Sequence, residues 1–226
     1  MHTHSSGAAR SFLPAAGKNW TLFLYDPLVE LLGLGRLRAP LIAQSALGSA
    51  RRVLDLGCGT GTFAIELKRL HPALEVVGLD PDPAALARSR RKAARAGASI
   101  QFDQGFSDSL PYPSASFDRV FSSFMFHHVP PAERPATLAE VRRVLAPRGS
   151  FHLVDFSRPD GPLPWLARHI HSSAHLRDNS DSGILALLAE AGFLNPSKVA
   201  SGATFFSSAL ASYFLASHTG AAQLDG

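Results

Sequence analysis

A doubly wound, mainly parallel α/β sheet is the fold class this sequence predicts, and three observations predict it. Short β-rich apolar runs alternate with helical stretches through the middle of the chain. The first run ends in a loop with glycines at 57, 59 and 61, directly ahead of a helical stretch. An acidic residue, Asp80, closes the second run. In open sheets of this kind ligands lie outside the carboxyl ends of the strands, so function is expected in the loops there.

Taken in order, residues 1–18 are Ser-, Gly- and Ala-rich and are expected to be a mobile N-terminus. Residues 19–50 are expected to form an N-terminal helical lid, with 20–47 reading as one or two apolar helices broken around Gly33, Gly35 and Pro40. Residues 51–226 make up the Rossmann-like domain. Its strand runs fall at 53–56, 76–79, 100–102, 120–124 and 151–156, and its helices at 61–70, 83–96 and 133–145. A helical cap insertion is expected at about 158–180, followed by a helix at 181–191 that Gly192 closes. Residues 203–215 are apolar; aromatics such as Phe205, Phe206, Tyr213 and Phe214 either finish the sheet as a hairpin or pair with another subunit in a homodimer.

With 226 residues, 46% of them hydrophobic, the chain can bury one sizeable core with additions, not two full domains. The net charge of +4 and pI near 9.6 name no ligand, because the arginines are scattered and form no concentrated stripe; no nucleic-acid partner is expected. A single cysteine, Cys58, excludes an intramolecular disulfide and a multi-cysteine zinc site, and fits a reducing compartment, the cytoplasm by default. No stretch reaches the roughly eighteen apolar residues of a membrane helix, and residues 1–10 lack the order of a signal peptide, so a soluble protein without a membrane span is expected.

The glycine loop, Val-Leu-Asp-Leu-Gly-Cys-Gly-Thr-Gly at residues 53–61, carries the most information. Glycine permits positive φ and close approach of a ligand to bare backbone, and the helix N-terminus behind it offers N–H groups. A tight strand-to-helix turn can also be purely structural. Dinucleotide folds space their glycines G-x-G-x-x-G, whereas this loop is G-x-G-x-G. Asp55 precedes it; a carboxylate there repels a pyrophosphate and attracts a ligand with an ammonium, such as S-adenosylmethionine. Asp80, nineteen residues past Gly61, can accept from both ribose hydroxyls, which supports an adenosine.

Residues 53–61, the run Val-Val-Gly-Leu-Asp-Pro at 76–81, Leu-Pro-Tyr-Pro-Ser-Ala-Ser-Phe-Asp at 110–118 and Ser-Ser-Phe-Met-Phe-His-His-Val at 122–129 together resemble the class I methyltransferases of the ubiquinone and menaquinone biosynthesis type, over about residues 25–193. The resemblance implies that Asp55 and the backbone of Gly57, Cys58, Gly59 and Gly61 hold the methionine end of S-adenosylmethionine, and that Asp80, beside Pro81, holds the ribose. It implies that Tyr25 closes over the cofactor, that Gly105, Phe106 and Ser107 flank the adenine, and that Pro81 and Ser123 also bind the cofactor. Many relatives carry Asp where this chain has Phe106, so the ring can be stacked by Phe106 and met by Ser107 N–H or the Asp108 carboxylate.

Methyl transfer from a sulfonium is an in-line displacement in which positioning does much of the work. A phenol, enol or activated carbon acid as acceptor gains from a base, and His127 and His128, at the end of the fourth strand, are the candidates; the alternative is a strand-end histidine satisfied by backbone. Phe124 and Asp155 are candidate substrate contacts, with one of Phe124 and Phe126 walling the pocket and the other in the core. His169, His171 and His175 lie in the cap. If helical, His171 and His175 stand at i and i+4, where they can touch substrate, face solvent or grip a metal; no carboxylate or cysteine completes a set, so no metal is expected. Cys58 reads as a small side chain that fits, with no partner to activate a thiolate. Arg88, Arg90, Arg91, Lys92 and Arg95 share one helix and read as a solvated run. The function expected is methylation of a small-molecule acceptor. An RNA or protein methyltransferase, or a cofactor-binding module without catalysis, is the alternative.

Overall fold

The computed structural model describes residues 37–156, 179–203 and 210–218. The described elements are α1 (Arg38–Ala43), β1 (Arg52–Leu56), α2 (Thr62–Leu70), β2 (Glu75–Asp80), α3 (Pro83–Arg95), β3 (Gln101–Gln104), β4 (Phe117–Ser123), α4 (Arg134–Val144), β5 (Leu145–Phe156), α5 (Asp181–Glu190), β6 (Leu194–Ala203) and β7 (Leu210–Ser217). The seven strands form one sheet in the order β3-β2-β1-β4-β5-β7-β6. Pairings from β3 through β5 are parallel, while β7 runs antiparallel to both β5 and β6. The strand order turns back between β1 and β4, the place where such sheets open a ligand crevice.

The central strands are apolar almost throughout because both sheet faces are covered. Leu54, Val77, Val120, Phe151 and Leu153 join Leu138 and Val141 of α4 and Ile184 and Leu188 of α5 in one core. Val53, Val76, Phe121 and Tyr213 join Leu41 of α1, Phe63 and Leu67 of α2 and Leu86 of α3 in the other. Helix starts follow local chemistry. The Asp82 carboxylate accepts from Ala84 N–H at 2.8 Å with Pro83 in the first turn of α3, and the Ser180 hydroxyl accepts from Gly183 N–H at 3.1 Å ahead of α5. Gly192, at φ +81°, follows α5 as expected.

Three readings change. Pro40 does not break a helix; it lies in the first turn of α1, where its missing N–H has no partner to lose. β4 ends at Ser123, because Phe124 takes a left-handed φ of +56°. Tyr213 and Phe214, 1% and 0% exposed, lie inside the sheet on β7, so they finish it as a hairpin with β6 and offer no surface to another subunit. β6 itself, with Pro196 and Gly202, was not legible as a strand. Its register against β7 shifts twice, between Leu194 and Ser197 and between Lys198 and Ala200. The described part of the expected lid, residues 37–50, packs on the sheet: Leu37 C=O accepts from Tyr213 Oη at 2.8 Å, and Leu41 and Leu47 are buried. No described helix is long and apolar enough to cross a membrane.

Candidate active site

The glycine loop leaves β1 and turns into α2 through three positive φ angles, +72° at Gly57, +52° at Gly59 and +75° at Gly61. Among the described residues, two of these glycines are fixed by neighbours and one is not. A Cβ on Gly57 would stand 2.1 Å from Met125 Cγ and one on Gly61 2.8 Å from Ser89 Cβ, but one on Gly59 would meet no described atom within 4 Å. That open flank is where a ligand can lie against backbone.

The N–H groups of the loop are largely engaged. Gly57 and Cys58 donate to Leu79 C=O at 2.8 and 3.0 Å, Gly61 donates to Cys58 C=O at 2.8 Å, and Gly59 donates to Asp80 Oδ2 at 2.8 Å. These four donors are therefore occupied within the fold and are not presented to a pyrophosphate, while Asp55 and Asp80 bring negative charge to the loop. Lys92 supports it from behind, donating to Thr60 Oγ1 at 3.2 Å and Thr62 Oγ1 at 2.6 Å, while Arg90 donates to Phe102 C=O at 2.6 Å. Two members of the basic run on α3 thus serve the fold.

Two carboxylates stand at the strand ends. Asp55 is 1% exposed, and its Oδ2 has no hydrogen-bond partner among the described residues. Burial pushes its carboxyl up to about 7, against the charge of Arg38 and with help from Asp80. An ammonium brought to that oxygen would supply both the missing partner and the compensating charge. Asp80 Oδ1 accepts from Asp82 N–H at 2.9 Å, so this carboxylate ties loop to α3 while its remaining lone pairs can receive hydroxyls. Burial raises its pKa, opposed by those two N–H bonds. Gly105 N–H reaches Asp80 C=O at 3.2 Å, setting the 105–109 turn beside it, with Phe106 half-buried and the Ser107 hydroxyl 2.9 Å from Thr137 Oγ1. Cys58 is buried and its thiol is held well above the ordinary range, first by burial and then by Asp55 and Asp80, which fits an inert side chain.

Across the crevice, β4 ends in half-buried Ser123 and in Phe124, whose ring centroid lies 4.8 Å from that of Phe156. A non-glycine residue at positive φ costs about 1–3 kcal/mol; Phe124 is held there by N–H donation to Val154 C=O at 2.8 Å. Phe126 is in the core, 1% exposed, although the two rings diverge through a change of backbone and not through strand alternation. Asp155, expected to touch substrate, has no exposed surface. Its Oδ2 accepts from His127 N–H at 2.8 Å, and its Oδ1 takes His127 Nδ1 at 2.5 Å and Phe156 N–H at 2.7 Å. The His127 ring lies 4.0 Å from that of His128. Tyr25, His169, His171, His175, Phe205 and Phe206 lie outside the described residues. Sequence reasoning missed the roles of Met125, Lys92 and Asp155; each depends on a contact between distant segments, and no local spacing signals it.

A family profile described as a methyltransferase domain matches residues 53–149. The demethylmenaquinone methyltransferase of Deinococcus radiodurans is 44% identical over 142 residues, covering 62% of this chain and 58% of that protein. The match thus spans under three fifths of that relative's length. An uncharacterized methyltransferase of Synechocystis is 35% identical over 154 residues, 66% of this chain and 69% of the relative. Among solved structures, a SAM-dependent methyltransferase from Aquifex aeolicus superposes with a TM-score of 0.66 at 17% identity, over 89% of this chain and 99% of that one, a likeness of fold.

Proposed function

This chain belongs to the class I S-adenosylmethionine-dependent methyltransferases of the ubiquinone and menaquinone biosynthesis type, and from that premise we propose that it methylates a small-molecule acceptor with a hydroxylated ring, of the reduced demethylquinone class. The observation that carries the reading is the glycine loop: four of its N–H groups are engaged internally, its Gly59 flank meets none of the described residues, and Asp55 and Asp80 lie close by. That set suits a cationic adenosine ligand and disfavours a dinucleotide. When bound, S-adenosylmethionine supplies an electrophilic methyl group on a sulfonium. Asp55 and the loop carbonyls would hold its methionine end, Asp80 its ribose, and Gly105, Phe106 and Ser107 its adenine. Phe124 and Phe156 would wall the acceptor side, with Ser123 at the border. The single cysteine favours a reducing, cytoplasmic setting.

Calorimetric titration with S-adenosylmethionine, S-adenosylhomocysteine and NAD tests the reading. Saturable binding of the first two and none of NAD is expected. Binding of NAD alone overturns it. Labelled methyl donor offered with a reduced 2-prenyl-1,4-naphthoquinone or with bulk RNA then separates the small-molecule acceptor from the nucleic-acid one.

A further inference from the structure

We propose that Asp155 and His127 form a positioned dyad in which Asp155 fixes the imidazole through Nδ1 and His127 Nε2 takes the hydroxyl proton of the acceptor; the proposal rests on the methyl-transfer reading above. The sequence offers two adjacent histidines and no reason to choose. The fold chooses. Asp155, at the end of β5, spends both oxygens on the backbone N–H of His127, its ring Nδ1 and the N–H of Phe156. One buried carboxylate thereby sets both the backbone and the ring direction of His127. A carboxylate on Nδ1–H holds the proton there and leaves Nε2 as the ring's lone-pair nitrogen.

Nε2 makes no hydrogen bond among the described residues, and the side chain keeps 12% of its surface exposed at the carboxyl edge of the sheet. Met125, two residues earlier, packs on Gly57, which brings this short turn against the cofactor loop. Phe156 borders the ring edge-on at 5.5 Å. Among the described residues, the charged groups facing His127 are Asp155 from β5 and Arg134 from α4, with His128 alongside. Burial and Arg134 work against the imidazolium, but the charge and hydrogen bond of Asp155 outweigh them, so His127 is a stronger base than a free imidazole.

The proton balance is simple. The acceptor O–H bond breaks, an N–H bond forms at Nε2, and the electron pair stays on the acceptor, on oxygen or shared into a conjugated ring. The imidazolium is stabilised by Asp155 until it returns the proton to solvent. An amine with a free lone pair needs no such base, so the dyad marks the acceptor as a phenol or enol.

Histidine-selective 15N NMR of the full chain, free of cofactor, tests the dyad directly, with His127→Gln to assign the signal. Expected is a neutral His127 protonated at Nδ1 and bare at Nε2, with a titration midpoint that falls in Asp155→Asn. A ring protonated at Nε2, or a midpoint unmoved by Asp155→Asn, overturns the proposal. In turnover of reduced 2-prenyl-1,4-naphthoquinone, His127→Gln should lower kcat by about 10²–10⁴ with S-adenosylmethionine affinity unchanged. Asp155→Asn should move the acid limb of the rate profile to lower pH, and Asp155→Glu should restore part of kcat. An unmoved limb counts against the dyad. Wild-type protein that fails to bind S-adenosylmethionine defeats the functional reading, whereas binding with a misplaced tautomer defeats the dyad alone.

Discussion

Replacing Asp55 by Asn separates what this carboxyl does to the fold from what it does for a ligand. Burial, with one oxygen lacking a partner among the described residues, pushes the group up to about 7 from 3.8 in the ligand-free protein. A folded-state pKa above the unfolded value means stability that is fully present below about 3.8 and lost as pH rises through about 7. At about 1.4 kcal/mol for each tenfold step, ionising Asp55 within the fold costs about 4 kcal/mol. Asparagine imitates the protonated acid at every pH, but its extra N–H, if left unsatisfied, costs about 1–3 kcal/mol. The ligand-free Asp55→Asn protein should therefore gain about 1–3 kcal/mol at pH 8, raising Tm by about 2–10 °C for a chain of this size. At pH 5, where the native carboxyl is largely protonated, the gain should vanish or reverse. Scanning calorimetry at the two pH values reads this, and titration with S-adenosylmethionine at pH 8 should show weakened binding in the same variant. An equal change in Tm at both pH values refutes the electrostatic account of Asp55, and unchanged affinity refutes its ligand role.

Asp80→Ala removes the acceptor of Gly59 and Asp82 N–H together with the proposed ribose partner. At about 1.5–3 kcal/mol for each hydrogen bond to a charged group, S-adenosylmethionine affinity should fall by at least tenfold in calorimetry, and unaltered affinity removes Asp80 from the site. Gly59→Val places a side chain on the Gly59 flank at a φ of +52°, a strain of about 1–3 kcal/mol, so the variant should lose some Tm yet keep its circular dichroism spectrum and fail to bind cofactor; retained binding means the ligand does not pass there. His152 stacks on Phe121 at 5.3 Å with its Nε2 2.8 Å from Ser150 Oγ, and burial depresses its pKa from 6.5 to about 3. The unfolded chain takes up the proton first, so this contribution is present above 6.5 and lost as pH falls toward 3. His152→Gln should flatten Tm against pH across that window; an unchanged slope assigns acid sensitivity elsewhere.

Much of this was readable in one dimension, for physical reasons. β1, β2 and β4 show as apolar runs because parallel strands are covered on both faces, and the helix that follows β5 shows through the glycine that closes it at 192. The glycine turn and the link from Gly59 N–H to Asp80 lie near the ends of adjacent strands, so their place was legible from the spacing of the motif. The link of Asp155 to His127 was not legible, because that partner lies 28 residues away and is met through the pairing of β4 with β5. Pro40 was read as a breaker because propensity carries no knowledge of which turn of a helix a residue will occupy. β6 was invisible since its polar, proline-bearing sequence is held by the hairpin to β7.

That same strand has a consequence for how the molecule behaves among copies of itself. An open sheet presents two edges, here β3 and β6, and an exposed edge invites another chain to add a strand. β3 is four residues long, too short to serve as much of a template. β6 is ten residues long and exposes Val199, but Pro196 removes a donor, Asn195 at φ +51° turns the backbone, and two register shifts break the regular spacing of N–H and C=O groups. The irregularity that hid β6 from sequence reading thus protects a crowded solution of this protein from edge-to-edge aggregation.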